Sequence, residues 1–411
     1  MGIAVAGTRP VGLIGVALLV GAWYAGRNTI GWRAAVLWAL PLLVVPPLFS
    51  GDAYAYACQG QLFAHGLNPY HHGVADLPCP WLDRVPPLWQ HTPTPYGPLW
   101  VAITAVASAA GRLWLAVGAF RLVAIAGIML AVVAGRHLAR AVGGDPARVV
   151  WLAGASPLVL LHGVAGAHND ALLAGLVVAG FALTPRARWG VAAGAVFGLA
   201  VAVKVTALVA VPFAALLLPR RAIAGVAAGT AGVFAAVTAA TGLGLGWLPA
   251  LSHTADLTQW TSAPTGVGMA AGYVLRAAGR PDLAPTAVVV ARAAGLVVLA
   301  VVLLVLLKFP GVPAAAAGLA ATALLGPVFF PWYALVPLAV LAAAPFSTRV
   351  RDRIGWAVAG LALLVLPDGR GFASMTKPVG AFLDVALVSV LAVALVRRLR
   401  AGRARPTPTA R

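Results

Sequence analysis

Glutamate is absent from this chain of 411 residues, lysine occurs only at 204, 308 and 377, and charged residues of every kind make up 9%. Soluble domains carry roughly 25% charged residues, so a water-soluble globular fold is excluded. There are only two cysteines, Cys58 and Cys79, too few for a disulfide scaffold. No phosphate-loop or dinucleotide-binding glycine pattern, no repeat of fixed period and no domain-sized polar linker is found along the chain. What fills the sequence is apolar: 61% of it is hydrophobic, in runs rich in Ala, Val and Leu. That composition predicts an all-α polytopic membrane protein.

Crossing about 30 Å of hydrocarbon takes a helix of about 20 apolar residues. Thirteen candidate spans fall near 11–26, 34–49, 113–135, 149–161, 169–184, 189–203, 205–218, 222–244, 285–307, 314–328, 333–345, 354–366 and 378–396. The apolar pieces 98–110 and 266–278 are read as re-entrant or interfacial. With 51–97 and 245–284 outward, most of the 29 basic residues fall on the inward side, including the tail 397–411. That is the asymmetry of the positive-inside rule, with the amino terminus outside and the carboxyl terminus inside. A signal peptide is a poor reading of residues 1–26, which lack a polar cleavage region. The formal charge of +19 is then a matter of loops and lipid headgroups and calls for no nucleic acid.

Although fitted to Arg and Lys alone, the topology also sorts the histidines and aspartates. His65, His71, His72, His91, His162, His168 and His253 fall outward, as do Asp52, Asp76, Asp83, Asp170, Asp256, Asp282 and Asp368. Most of these are solvated loop charges. Asp52 and the His168-Asn169-Asp170 triplet differ, because they stand at helix ends where a carboxylate is costly. Asp52 reads either as the N-cap of a helix starting near Ala53 or as a general base. His168, Asn169 and Asp170 read either as a cap or as ligands for a divalent cation, a phosphate or sugar hydroxyls. Lys204, between two apolar runs, either snorkels or meets an anion such as phosphate. Arg292 and Asp384, each inside an apolar run, are expected to pair with one another. Trp89, Tyr96, Trp100 and the Trp332-Tyr333 pair are interfacial anchors or sugar-stacking rings. If 51–97 is extracytoplasmic, a Cys58–Cys79 disulfide is permitted, and two free thiols are the open alternative.

Six stretches occur in a telling order: GDAYAYACQGQLFAHGLNPY, TPYGPLW, PLVLLHGVAGAHNDALL, GLAVAVKVTALVAVPF, TSAPTGVG and FFPWYAL. Together, over about residues 50–345, they make the chain resemble the actinobacterial polyprenol-phosphate-mannose-dependent alpha-1,6-mannosyltransferases, membrane glycosyltransferases of the GT-C type. The resemblance implies a GT-C-like bundle with a large first outer loop, set in the cytoplasmic membrane with its active site on the extracytoplasmic side. It further implies inverting transfer of mannose from polyprenyl-phosphate-mannose to a mannan or lipoglycan acceptor. Asp52 would be the general base, and Lys204 and His168 would bind the leaving phosphate, with Arg370 and Lys377 in reserve. Tyr54, Gln59, Tyr96, Asn169, Asp170, Trp332 and Tyr333 would hold sugar and acceptor. The chain departs from the family pattern at Ala55 and Asn68, where Ser and Asp are common. The alternatives are a transferase of the same fold with another sugar or linkage, and a lipid or sugar transporter. A transporter would place polar groups near mid-membrane in matched halves, and no such repeat is evident.

Overall fold

The computed structural model describes residues 2–403, so the end of the basic tail, 404–411, lies outside the described residues. Among the described residues there is no β-strand, only an isolated antiparallel bridge between Val365 and Gly371. The protein is an all-α membrane protein. The main helices are α1 (Gly2–Ala25), α2 (Trp32–Ala39), α3 (Asp52–Ala64), α4 (Pro98–Ser108), α5 (Leu113–Val142), α6 (Asp170–Leu183), α7 (Gly190–Val203) and α8 (Arg220–Thr241), while the predicted runs 149–161 and 205–218 form shorter helical pieces and 34–49 is helical only to Leu43. They continue with α9 (Ala263–Ala277), α10 (Ala284–Leu306), α11 (Val312–Leu325), α12 (Leu335–Ala343), α13 (Thr348–Leu363) and α14 (Lys377–Arg403). Among the described residues, four helices are long and apolar enough to cross a membrane, within Leu113–Val142, Arg220–Thr241, Pro281–Leu306 and Lys377–Ala394. A bent pair, Pro146–Gly154 and Val159–Ala165, makes a fifth if it is one span.

That bend of 57° has a sequence cause. Pro157 lacks the amide that would continue the helix, and Ser156 Oγ accepts from the Val159 amide instead (3.4 Å). Elsewhere, helices end where the chain requires a left-handed residue, as at Gly143 after α5 and Gly242 after α8.

The chain divides into two compact units. The first comprises residues 1–256, 301–323 and 330–372. In it α5 packs on α6, α6 on α7, and α7 on α8, while α3 lies against α4. Small residues let the backbones touch: a Cβ on Gly175 would strike the Gly127 carbonyl, and one on Gly60 would strike that of Thr104. The first contact sets α6, which begins with Asp170, directly on α5. The second sets α3, which begins with Asp52, on α4. The core between them contains Tyr56, Trp100 and Phe120, with Tyr56 meeting the rings of Trp100 and Phe120 edge-on.

The second unit comprises residues 257–300, 324–329 and 373 onward. There α9 packs on α14, and Met269, Ala270 and Ala381 form a small apolar core. The predicted Arg292–Asp384 pairing is replaced by other partners. Arg292 donates to Thr265 Oγ1 (2.9 Å) and to the Leu257 carbonyl (2.7 Å). Asp384 packs against Gly266, with Oδ2 buried and without a hydrogen-bond partner. Thr265, in the first turn of α9, offers the guanidinium a neutral acceptor in place of a carboxylate.

Candidate active site

The site grows from two chain turns in the first unit, each containing a buried non-glycine residue with positive φ. Phe49 (φ 68°) lies just before Ser50-Gly51-Asp52, and Ala167 (φ 54°) just before His168-Asn169-Asp170. Such conformations cost about 1–3 kcal/mol each and persist only where the surroundings overdetermine them.

Asp52 opens α3 but does not cap it. Gly51 is the N-cap residue and no side-chain cap bond forms; the Asp52 amide donates to Ser50 Oγ (3.0 Å). The predicted capping role therefore falls away, because Asp52 is already inside the helix and its carboxylate points elsewhere. Oδ2 lies 3.5 Å from His168 Nδ1. The loop before α4 covers the residue, with Pro86 and the Arg84 carbonyl against Gly51. Burial pushes the Asp52 carboxyl up from 3.8 to about 6. Hydrogen bonding from Ser50, the positive charge of Lys204 and hydrogen bonding from Trp89 oppose that rise, while the negative charge of Asp170 adds to it. His168, fully buried, is pushed well down by burial and by His162 and Lys204. It is therefore neutral, and its contact with Asp52 is not an ion pair.

Across from Asp52, Lys204 ends α7 in an extended conformation. Its Nζ donates to both carboxylate oxygens of Asp170 (2.8 and 3.0 Å) and sits 4.1 Å from the centre of the Tyr333 ring. Snorkelling is thus replaced by a buried ion pair capped by an aromatic face. Trp332 stacks on His168 at 4.0 Å and on Phe330 at 4.5 Å. Tyr96 reaches the same neighbourhood because Gly97 lies flush on the end of α7: its amide donates to the Val203 carbonyl (3.0 Å), and a Cβ there would strike Ala202. Tyr96 packs edge-on against Tyr56.

The structure thus gathers Asp52, His168, Asp170, Lys204, Trp332 and Tyr333 through a chain of direct contacts. Asn169, adjacent to them, does not cap α6; its amide oxygen and nitrogen are both buried without a partner. Tyr54 goes elsewhere. At about 100° per residue it lies on the far side of α3 from Asp52, beneath the Arg84 guanidinium (5.7 Å). Tyr56 and Gln59 share the Asp52 face by the same period, and Gln59 is buried about two turns away. Tyr56 was readable from that i, i+4, i+7 spacing, whereas His162 was not. His162 is wedged between Phe49 and Trp332, and neither ring nitrogen has a hydrogen-bond partner. Arg370 is exposed in a loop whose Pro367 carbonyl accepts from the Phe49 amide (3.1 Å). Lys377 opens α14 in the other unit.

Cys58 and Cys79 are joined in a disulfide, which ties the loop covering Asp52 back to α3. Asp170 is engaged by Lys204, and among the described residues no three His, Cys, Asp or Glu side chains gather as a metal-binding group.

A buried carboxylate thus lies beside an ion pair and an aromatic stack among apolar helices, a setting in which ionisable groups are costly and mark functional sites. The family described as alpha-(1->6)-mannopyranosyltransferase, N-terminal domain, matches residues 4–220, and the MptB C-terminal domain matches 264–398. The chain is 34% identical to alpha-(1->6)-mannopyranosyltransferase A of Mycobacterium tuberculosis, over 86% of this chain and 75% of that one. It is 31% identical to a probable alpha-(1->6)-mannopyranosyltransferase of Mycolicibacterium smegmatis, over 97% and 81%. It is 29% identical to alpha-(1->6)-mannopyranosyltransferase B of Corynebacterium glutamicum, over 91% and 70%. No solved structure matches. The chain belongs to the alpha-(1->6)-mannopyranosyltransferase family and is a glycosyltransferase.

Proposed function

We propose that this enzyme transfers mannose from polyprenyl-phosphate-mannose to a mannan or lipoglycan acceptor, forming alpha-1,6 linkages at the outer face of the cytoplasmic membrane. The observation that carries the reading is the placement of a buried, high-pKa carboxylate, Asp52, in one contact network with the Lys204–Asp170 pair. Transfer needs a base for the acceptor and positive charge for the departing phosphate. In the step itself, Asp52 takes the proton of the acceptor hydroxyl as its oxygen bonds to the anomeric carbon. The bond from that carbon to the phosphate oxygen breaks, its electron pair leaves with polyprenyl phosphate, and configuration inverts.

Lys204 has three N–H groups and gives two to Asp170, so the third is free to meet a phosphate oxygen. Asp170 thereby aims the lysine. His168, being neutral, contributes at most one N–H donor. The unpartnered amide of Asn169 suits a sugar hydroxyl, and Trp332, Tyr333 and Tyr96 offer apolar faces for a pyranose ring. Gln59 and Tyr54 stand further from the reacting centre.

An ionised base sets the sign of the pH dependence. With Asp52 titrating near 6, the transfer rate is expected to rise about tenfold per pH unit below 6 and to level off above it, measured as the pH profile of kcat/KM. A rate unchanged from pH 5 to 7 rejects the base.

Outward placement of the site is supported by the positive-inside distribution and by the Cys58–Cys79 disulfide, which an oxidising compartment permits. Both cysteines are engaged and no free thiol remains, so a single new cysteine reports cleanly. Asp256→Cys is expected to react with a membrane-impermeant maleimide on intact cells, and Arg349→Cys only after permeabilisation; the reverse pattern inverts the topology.

The decisive assay combines purified full-length protein, polyprenyl-phosphate-mannose and a short mannan acceptor. A new alpha-1,6 bond in the product is expected. Turnover with a polyprenyl-phosphate pentose instead assigns another sugar to the same chemistry.

A further inference from the structure

Arg121 stands on α5, inside a helix apolar enough to cross a membrane, and is itself buried. Such an arginine normally meets a carboxylate, yet this one is engaged by main-chain carbonyls. Nη1 donates to the Leu43 carbonyl (2.8 Å), and Nη2 donates to those of Val45 (2.6 Å) and Ala165 (3.3 Å). Leu43 ends a 3-10 turn, Leu40–Leu43, and Ala165 ends the helix Val159–Ala165. The last carbonyls of helical segments have no partner within their own helix, and the negative end of the helix dipole lies there. One guanidinium therefore terminates two helical segments at once. A lysine, with a single nitrogen, cannot reach three carbonyls so arranged.

The two segments it joins are the ones that lead into the site. From Val45 the chain runs through Pro46 and Pro47 to Phe49 and then Asp52; from Ala165 it runs through Ala167 to His168. Phe49 and Ala167 are the two residues held at positive φ. The Ala165 carbonyl also accepts from the Leu48 amide (3.4 Å), so the two segments meet at the atom Arg121 holds. On the preceding residue, Phe120 packs edge-on against Tyr56 of the Asp52-bearing helix.

We infer that Arg121 is a positioning residue for transfer: its guanidinium binds the 43–45 segment and the 159–165 helix into one frame and so fixes where Asp52 stands against His168. This rests on the reading of Asp52 as the base. Without the clamp, strain at Phe49 and Ala167 relaxes, and Asp52 turns away from His168 toward water. A displacement of about 1 Å is enough to cost about 100-fold in rate.

The test compares Arg121→Gln and Arg121→Lys in the full-length protein, with rates normalised to folded protein. Arg121→Gln is expected to lower kcat about 100-fold with KM for the lipid donor within about twofold, and Arg121→Lys is expected to fall between it and the parent. A second readout needs no turnover: carbodiimide modifies protonated carboxyls, and labelling of Asp52 against pH, followed by mass spectrometry, gives its midpoint. In the parent that midpoint is expected near 6, and in both variants lower, as the carboxyl gains water. An unchanged midpoint in the variants overturns the inference, as does a loss of rate that follows the amount of folded protein alone. If instead the parent's Asp52→Asn variant remains active while the Arg121 variants shift the midpoint, the base assignment fails and the clamp stands.

Discussion

Asp52→Asn is expected to lower mannosyl transfer by about three orders of magnitude, with unchanged expression and an unchanged or slightly raised melting temperature. A general base contributes about 10²–10⁴-fold, and the substitution keeps the shape of the side chain while removing the group that accepts the proton. Stability should not suffer, because Asp52 does not cap α3 and makes no ion pair with the neutral His168. Removing a buried ionisable group also removes its desolvation penalty. The measurement is single-turnover transfer from polyprenyl-phosphate-mannose, with thermal unfolding in detergent as the control. Retention of more than about a tenth of the parent rate would refute the assignment. The cap reading predicts the opposite pattern, since Asn caps about as well as Asp and the rate would hold.

Lys204→Met is expected to act on stability and rate together, and the two effects separate in a double variant. Losing the lysine leaves Asp170 buried beside Asp52 with no counter-charge. Breaking one side of a buried pair costs about 3–5 kcal/mol. Adding Asp170→Asn removes the stranded carboxylate and is expected to restore most of that stability. It is not expected to restore transfer, because the positive charge for the leaving phosphate stays absent. Thermal unfolding and kcat, measured on both variants, give the two readouts. A double variant with parental kcat excludes Lys204 from the phosphate, and the pair is then purely structural. A single variant with parental melting temperature contradicts the buried pair itself.

Much of this enzyme was legible in one dimension because the membrane imposes a simple code. Most of the predicted apolar runs are helical over much of their length, since a backbone away from water has to satisfy its own hydrogen bonds. Aspartates at helix ends stood out because charge is rare in this chain. The PYGPL turn and the HND triplet were visible as polar interruptions, and Tyr56 and Gln59 follow from Asp52 by helical period.

Partnership was not legible. Asp170 and Lys204 are 34 residues apart, and nothing in their local sequence chooses each other over a cap or a water-seeking tail. Arg292 and Asp384 are opposite in charge and both buried, yet the arginine donates to a hydroxyl and a carbonyl. Arg121 was hidden because its partners are main-chain carbonyls, which every residue possesses and no sequence marks. Whether Cys58 and Cys79 join was decided by the path of the covering loop. The sequence alone determined the solvent, the helices and the residue types at their ends, because hydrophobicity and rare charge are local properties. Only tertiary structure decided which of those ends meet and which polar atoms stay unpartnered, because distance between remote segments depends on how glycine-flattened helices pack.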